Sequence, residues 1–126
     1  MLAHAPVTTM LPVIDLERAR RFYEGKLGLE PLGSTPDGKF RYRSGGATLA
    51  LFPRPEGTRA EHTAVSFEVA DIAAEIAELQ SRGVVFEDYD LPGLKTVDHV
   101  CVLGAEKAAW FKDTEGNFLC IHENLA

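Results

Sequence analysis

Three side chains in this sequence have the types and placement to attempt metal chemistry, and a fourth could move protons. Cys120 and His122 stand two residues apart in a run of alternating polarity, so they share one strand face. His62 opens a second such run. Imidazole nitrogen and thiolate sulfur are soft donors, which makes His62, Cys120 and His122 the makings of a displaced zinc site. Against it, their spacing matches no metal-ligand signature, and Cys120 reads equally as a small core residue with histidines at strand ends. Glu68 alternates with Phe67 and Val69, which turns it away from those apolar neighbours. A desolvated glutamate there is a general base. The alternative is an ion pair with Arg41 or Arg43, favoured because both arginines lie on nearby strands. His99, close to Asp98 and Cys101, has no nucleophile motif around it and reads as an exposed loop histidine.

These groups must be positioned by the stretch 108–123, AAWFKDTEGNFLCIHE, two strands joined by a polar turn. Asp113 can accept from following backbone N–H groups, and Gly116 can take a positive φ. Upstream, 7–14 (VTTMLPVI) is a strand with Thr9, Leu11 and Val13 on one side and Thr8, Met10 and Pro12 on the other. Pro12 points to an edge or a strand end. Asp15 then caps a helix carrying Leu16, Ala19, Tyr23 and Leu27, with Phe22 alongside, that stops at Gly28. Strands are expected at 29–34, 39–43 and 48–52, followed by a polar linker, 54–60.

The grammar then repeats. A strand at 62–69 leads to Asp71, which caps a helix bearing Ile72, Ile76 and Leu79 and ending at Arg82-Gly83. A strand at 84–89, a longer excursion at 91–104 and the closing hairpin follow. From Asp15 to Gly28 is 13 positions and from Asp71 to Gly83 is 12, so the halves superpose as strand, helix and three strands, twice. Parity turns Met10, Phe52 and Phe118 toward the faces that the helices leave uncovered. The register of Trp110 and Phe111 stays open. Residues 89–96 (YDLPGLKT) could form a flap.

Composition narrows the class without naming a function. At 126 residues one domain is expected; 45% hydrophobic and 25% charged is ordinary for a soluble chain. No apolar run approaches the roughly 20 residues that span a bilayer. A net charge of −6 without a basic stripe argues against nucleic acid and anionic membranes as partners. The start of the chain lacks the basic n-region and cleavage site of a secretory signal, and two cysteines make no disulfide framework, so a cytoplasmic address is expected.

The chain resembles the vicinal oxygen chelate superfamily, which includes glyoxalase I, extradiol ring-cleaving dioxygenases, and bleomycin- and fosfomycin-resistance proteins. The likeness rests on Val13-Ile14-Asp15-Leu16-Glu17-Arg18-Ala19 with Phe22-Tyr23 and Leu27-Gly28-Leu29, on Phe67-Glu68-Val69-Ala70-Asp71-Ile72, and on Phe111-Lys112-Asp113-Thr114-Glu115-Gly116-Asn117. Thr114 stands where the family usually has Pro. The resemblance implies an α+β fold of two βαβββ modules, with curved mixed sheets enclosing a cavity, and frequent dimerisation. It also implies, for the family's enzymes, one divalent metal held from four strands. Carried over by counting, those four positions are Thr8, Ala50, Ala64 and Cys120. None is a histidine or carboxylate, and a divalent site needs several converging donors.

The reading is therefore a single domain, 1–126, with module 1 at about 5–53 and module 2 at about 61–126. It is expected to bind a small apolar or aromatic compound without metal or other cofactor, as a homodimer. The candidate ligand-binding residues are Thr8, Met10, Arg41, Ala50, Phe52, Ala64, Glu68, Trp110, Phe118 and Cys120. Two alternatives stand beside it: a glyoxalase- or dioxygenase-like enzyme using Glu68 as base or the displaced metal, and a structural dimer whose cavity is vestigial.

Overall fold

Alternating apolar residues and two aspartate caps build most of the elements. The computed structural model describes residues 1–125. β1 (Thr8–Val13) leads into α1 (Leu16–Arg20), whose start Asp15 caps by accepting the Arg18 N–H at 3.1 Å. The helix then widens into a π-helical turn, Arg21–Lys26, in which Leu27 N–H donates to the Phe22 carbonyl. This differs from the regular helix expected, and its cause is the pair Phe22-Tyr23. Both adjacent rings are buried, and a widened turn directs both inward. Gly28, at φ +70°, ends it. β2 (Glu30–Ser34), β3 (Phe40–Ser44) and β4 (Ala47–Pro53) complete a mixed sheet in the order β1-β4-β3-β2, with β1 parallel to β4. Pro12 lies on the edge strand β1, where its missing N–H costs no ladder bond.

The second half repeats the plan with β5 (Thr63–Glu68), α2 (Ile72–Ser81), β8 (Cys101–Leu103), β9 (Glu106–Lys112) and β10 (Phe118–Asn124), in the order β5-β10-β9-β8. Asp71 accepts the Ala74 N–H at 3.1 Å, and Glu123 Oε1 accepts that of Ile72 at 2.8 Å. The strand expected at 84–89 is not a member of the sheet. Val84 and Phe86 are buried and Val85 is exposed, so the alternation is real, but only Phe86 bridges to the sheet, at Phe111. The edge of β9 is divided: β8 pairs with its first residues and Phe86 meets its last ones. Between them β6 (Asp90–Leu91) and β7 (Leu94–Lys95) form a small hairpin about Gly93.

By contact the chain forms two compact units, Met1–Arg59 with Thr114–Gly116, and Ala60–Asp113 with Asn117 onward. In the first, Leu11, Val13, Leu49 and Leu51 are buried on one sheet face, and Tyr23 stacks on Tyr42 with centroids 6.1 Å apart. In the second, Ile72, Ile76 and Leu79 pack with Phe86, Phe111, Leu119 and Ile121 as the core.

The tip Thr114–Gly116 joins the first unit through one side chain. The Glu115 carboxylate is fully buried and accepts from Ile14 N–H and Asp15 N–H at 2.9 Å, Arg18 Nη2 at 3.0 Å and Nε at 2.8 Å, and Thr114 Oγ1 at 2.7 Å. Burial pushes its pKa up, but the Arg18 guanidinium and the backbone donors outweigh this and hold it at about 2. Its folded value lies below the ordinary 4.5, so its contribution is whole above that pH and is lost as pH falls toward 2. Glu115→Gln should therefore cost about 2 kcal/mol in urea unfolding at pH 7, with the gap to wild type narrower, though not closed, at pH 3. Equal stabilities at pH 7 would contradict the assignment.

Candidate functional site

Each unit keeps one sheet face turned away from its helix, and the candidate residues lie on these two faces. In the first unit β1 contributes Thr8 and Met10, both exposed, and β4 contributes Ala50, wholly buried, and Phe52, half-buried. Register sets Met10 beside Ala50 and Arg41 of β3 on the other side of Ala50. Arg41 is half-buried; its Nε is fully buried with no hydrogen-bond partner among the described residues.

In the second unit β5 contributes Ala64, Ser66 and Glu68, and β10 contributes Phe118, Cys120 and His122. Trp110 of β9 lies directly opposite Cys120, which resolves its register: Trp110 shares the Cys120 face and Phe111 belongs to the core. The indole N–H donates to Thr63 Oγ1 at 3.1 Å, and Tyr89 meets the ring edge-on at 5.7 Å. Phe118 lies under the Lys112 ammonium, 4.9 Å away. Aromatic surface is thus held in place by polar anchors at its rim.

Beside it runs a polar ladder. Ser66 Oγ and His122 Nδ1 are 2.5 Å apart, His122 Nε2 is 4.0 Å from Glu68 Oε1, and Asn124 donates to the same oxygen at 3.0 Å. Ser66 and Asn124 escaped the sequence reading, although Ser66 has the parity of Ala64 and Glu68 and could have been found by it. A hydroxyl, an imidazole and a carboxylate in a row invite comparison with a nucleophile relay, yet the 4.0 Å gap exceeds hydrogen-bond range. Glu68 is 71% exposed. Within its unit its partners are Asn124 and His122, while Arg43 lies 3.7 Å from Glu30. The row can orient the polar end of a ligand.

Neither metal arrangement fits the donors present. Thr8, Ala50, Ala64 and Cys120 offer one hydroxyl, two methyls and one thiol. Burial pushes the Cys120 thiol up, with the Ser66 hydrogen bond opposing, so the thiolate that a metal needs is disfavoured. For the displaced set, His62 lies before β5 and is exposed, and His122 Nδ1 is taken by Ser66. Among the described residues no group of three or more His, Cys, Asp or Glu is placed to hold a metal ion.

His99 lies at a separate groove of about 520 Å³ beside α2, which Ile76, Ala77, Val97 and Lys107 also line. Its Nδ1 is 2.9 Å from Asp88, and both Asp98 and His99 adopt left-handed backbone, at φ 51° and 70°. The loop histidine is therefore anchored.

The model of the Glyoxalase/Bleomycin resistance protein/Dioxygenase superfamily matches residues 5–121, and the chain belongs to that superfamily. Among solved structures it is similar to TnmS3, an antibiotic binding protein from Streptomyces sp. CB03234, at 24% identity over 98% of both chains with a TM-score of 0.71. It is similar also to a putative glyoxalase family protein from Bacillus anthracis, at 19% identity over 96% of this chain and 95% of that one, TM-score 0.77. A lactoylglutathione lyase from Agrobacterium tumefaciens matches at 22% identity over 98% and 96%, TM-score 0.69. No curated protein matches the chain by sequence.

Cys101 and Cys120 are both free and buried. Neither should react with Ellman's reagent within minutes at pH 8, and both should react in denaturant. Rapid modification of Cys120 in the folded protein would show that its face is more open and its thiol more acidic than described.

Proposed function

We propose that this protein binds a small, partly apolar organic compound without a metal ion, and that binding rather than turnover is its task. The observation that carries the reading is the anchored aromatic surface of Trp110, Tyr89 and Phe118 beside Ala64, which offers no metal donor, and the buried thiol of Cys120. Aromatic side chains fixed at their rims supply stacking area at small entropic cost. The printed description of TnmS3 as an antibiotic binding protein gives the reading a precedent within the fold. Ala64 and Cys120 would form the floor of this surface and Glu68 its polar margin; Thr8, Met10, Ala50 and Phe52 make up the corresponding face of the first unit, taken by itself.

We place the protein in the cytoplasm, as a homodimer. Among the described residues no helix is long and apolar enough to cross a membrane, and Val102 and Leu103 of the edge strand β8 are exposed apolar surface that a second copy would cover. Sedimentation as a monomer at micromolar concentration would remove the dimer, and recovery outside the cytosolic fraction would remove the address.

An enzymatic reading keeps one specific observation, the contact of Glu68 with His122. If it holds, Glu68→Gln abolishes turnover of a bound compound while leaving its affinity within about threefold; unchanged turnover would clear Glu68.

Binding is tested by thermal-shift screening of aromatic and glycopeptide compounds, since a ligand present at 100 times its Kd adds about 2.7 kcal/mol of stability. A true ligand should change Trp110 fluorescence and lose about tenfold affinity in Trp110→Ala. No stabilisation across a broad library would favour a purely structural role. Elemental analysis of protein purified without chelator should find no stoichiometric metal; zinc, iron or manganese at one per chain would overturn the metal-free reading.

A further inference from the structure

The groove of about 520 Å³ beside α2 lies wholly within the second unit and away from its aromatic surface. Lys107, which lines it, has the parity of the buried Phe111, so it stands on the core side of β9, opposite to Trp110. The volume is that of a small-molecule site. Much of the wall is aliphatic. Ala73 and Ala77, one helical turn apart, leave the flank of α2 low, with Ile76 between them, and Val97 lines the groove from the loop 97–100.

Two opposite charges line the same groove, and neither is neutralised. Among the described residues no hydrogen bond or ion pair holds the side chain of Asp98 or of Lys107, and the two do not pair with each other. Elsewhere in this unit Arg82 has Glu78 and Lys112 has Glu87. His99, also at the groove, is committed through its Nδ1 to Asp88, 2.9 Å away.

Asp98 is held firmly. Val97 and Val100 exchange backbone hydrogen bonds of 2.8 and 3.0 Å, and the two residues between them, at φ 51° and 70°, make the mirror-image turn of a tight hairpin. Aspartate suits the first position of that turn. Glycine is usual at the second, yet His99 stands there, and its contacts with Asp88 and the Phe86 ring fasten the turn to the unit. A charge fixed before binding loses little entropy when it is engaged. Unpaired charges of both signs around an aliphatic wall complement a molecule that carries both signs on an aliphatic body.

We propose that this groove binds a free aliphatic α-amino acid. The ligand's carboxylate accepts from the Lys107 ammonium, its ammonium donates to the Asp98 carboxylate, and its side chain lies on Ala73, Ile76 and Ala77. A simple carboxylic acid would satisfy Lys107 but meet Asp98 as a like charge, and a simple amine would do the reverse, so the pair selects the zwitterion. The site is independent of the aromatic surface and takes nothing from the first unit.

The test titrates the 15N-labelled full chain with L-leucine, 4-methylpentanoate and 3-methylbutylamine. These share one branched alkyl body and carry both charges, the anion alone and the cation alone. Leucine should shift the amides of Ala73, Ala77 and 97–100, and bind at least about tenfold more tightly than either analogue. Asp98→Asn, which keeps a residue tolerant of the left-handed turn, should erase the preference for leucine over 4-methylpentanoate. Lys107→Gln should erase the preference over 3-methylbutylamine. Amide spectra unchanged outside the groove would show that both variants fold. Equal binding of leucine and 4-methylpentanoate to wild type would overturn the proposal, as would full leucine affinity in either variant or no shift at millimolar leucine. Shifts confined to Trp110 and Cys120 would place leucine on the aromatic surface and overturn it as well.

Discussion

A single buried carboxylate decides where the longest hairpin of this fold ends. Removing a carboxylate from water is costly, and Glu115 is accommodated because three backbone or hydroxyl donors and two guanidinium nitrogens converge on it. The consequences spread from there. The Ile14 and Asp15 N–H groups it accepts lie where β1 gives way to α1, so the carboxylate fixes that junction and sits where a helix start favours negative charge. The turn that presents it is closed from the other side by Asp113, whose carboxylate accepts both the backbone N–H and the side-chain amide of Asn117 at 2.8 Å. Thr114–Gly116 thus belongs to the first unit although the strands on either side of it belong to the second.

The two halves solve the same problem with different residues. Both helices begin at an aspartate that accepts the N–H three residues on, and both receive a glutamate from the last hairpin: Glu115 for the first, Glu123 for the second. They diverge where the chain makes its fourth strand. In the first unit β2 runs along β3 through a single irregularity. In the second, the equivalent edge is shared by β8 and the bridge at Phe86, and the chain between them forms β6, β7 and the His99 loop. A repeat of the same grammar therefore carries its insertions at one sheet edge only.

This divergence explains what could be read from the sequence. Strands with strict alternation and a local cap were legible: β1, β4, β5, β10 and both helix starts depend on neighbours close in the chain. The segment 84–89 has the same alternation but is not a sheet strand, because the β9 edge is shared between β8 and the Phe86 bridge, and alternation carries no information about which segment pairs. The π-turn was hidden because two adjacent buried aromatics violate helical spacing, and only the packing of Tyr23 on Tyr42 shows how that is resolved. Glu115 looked like an ordinary turn residue because its partners lie about a hundred positions away. The candidate positions were placed on their faces by parity alone, yet Ser66, at the same parity, was passed over because a serine announces no chemistry until a histidine touches it.

What remains on the two uncovered faces sets the chemistry available to the chain. At the four positions where the family's enzymes gather a metal, this sequence has small side chains, two in each unit. The open face of the second unit carries an indole held by Thr63 and edged by Tyr89, with a serine–histidine pair able to donate or accept; that of the first carries an arginine whose Nε has no acceptor among the described residues. None of these activates water or polarises a substrate as a divalent ion does. On each face they favour stacking, orientation or charge matching, interactions that hold a ground state and a transition state about equally.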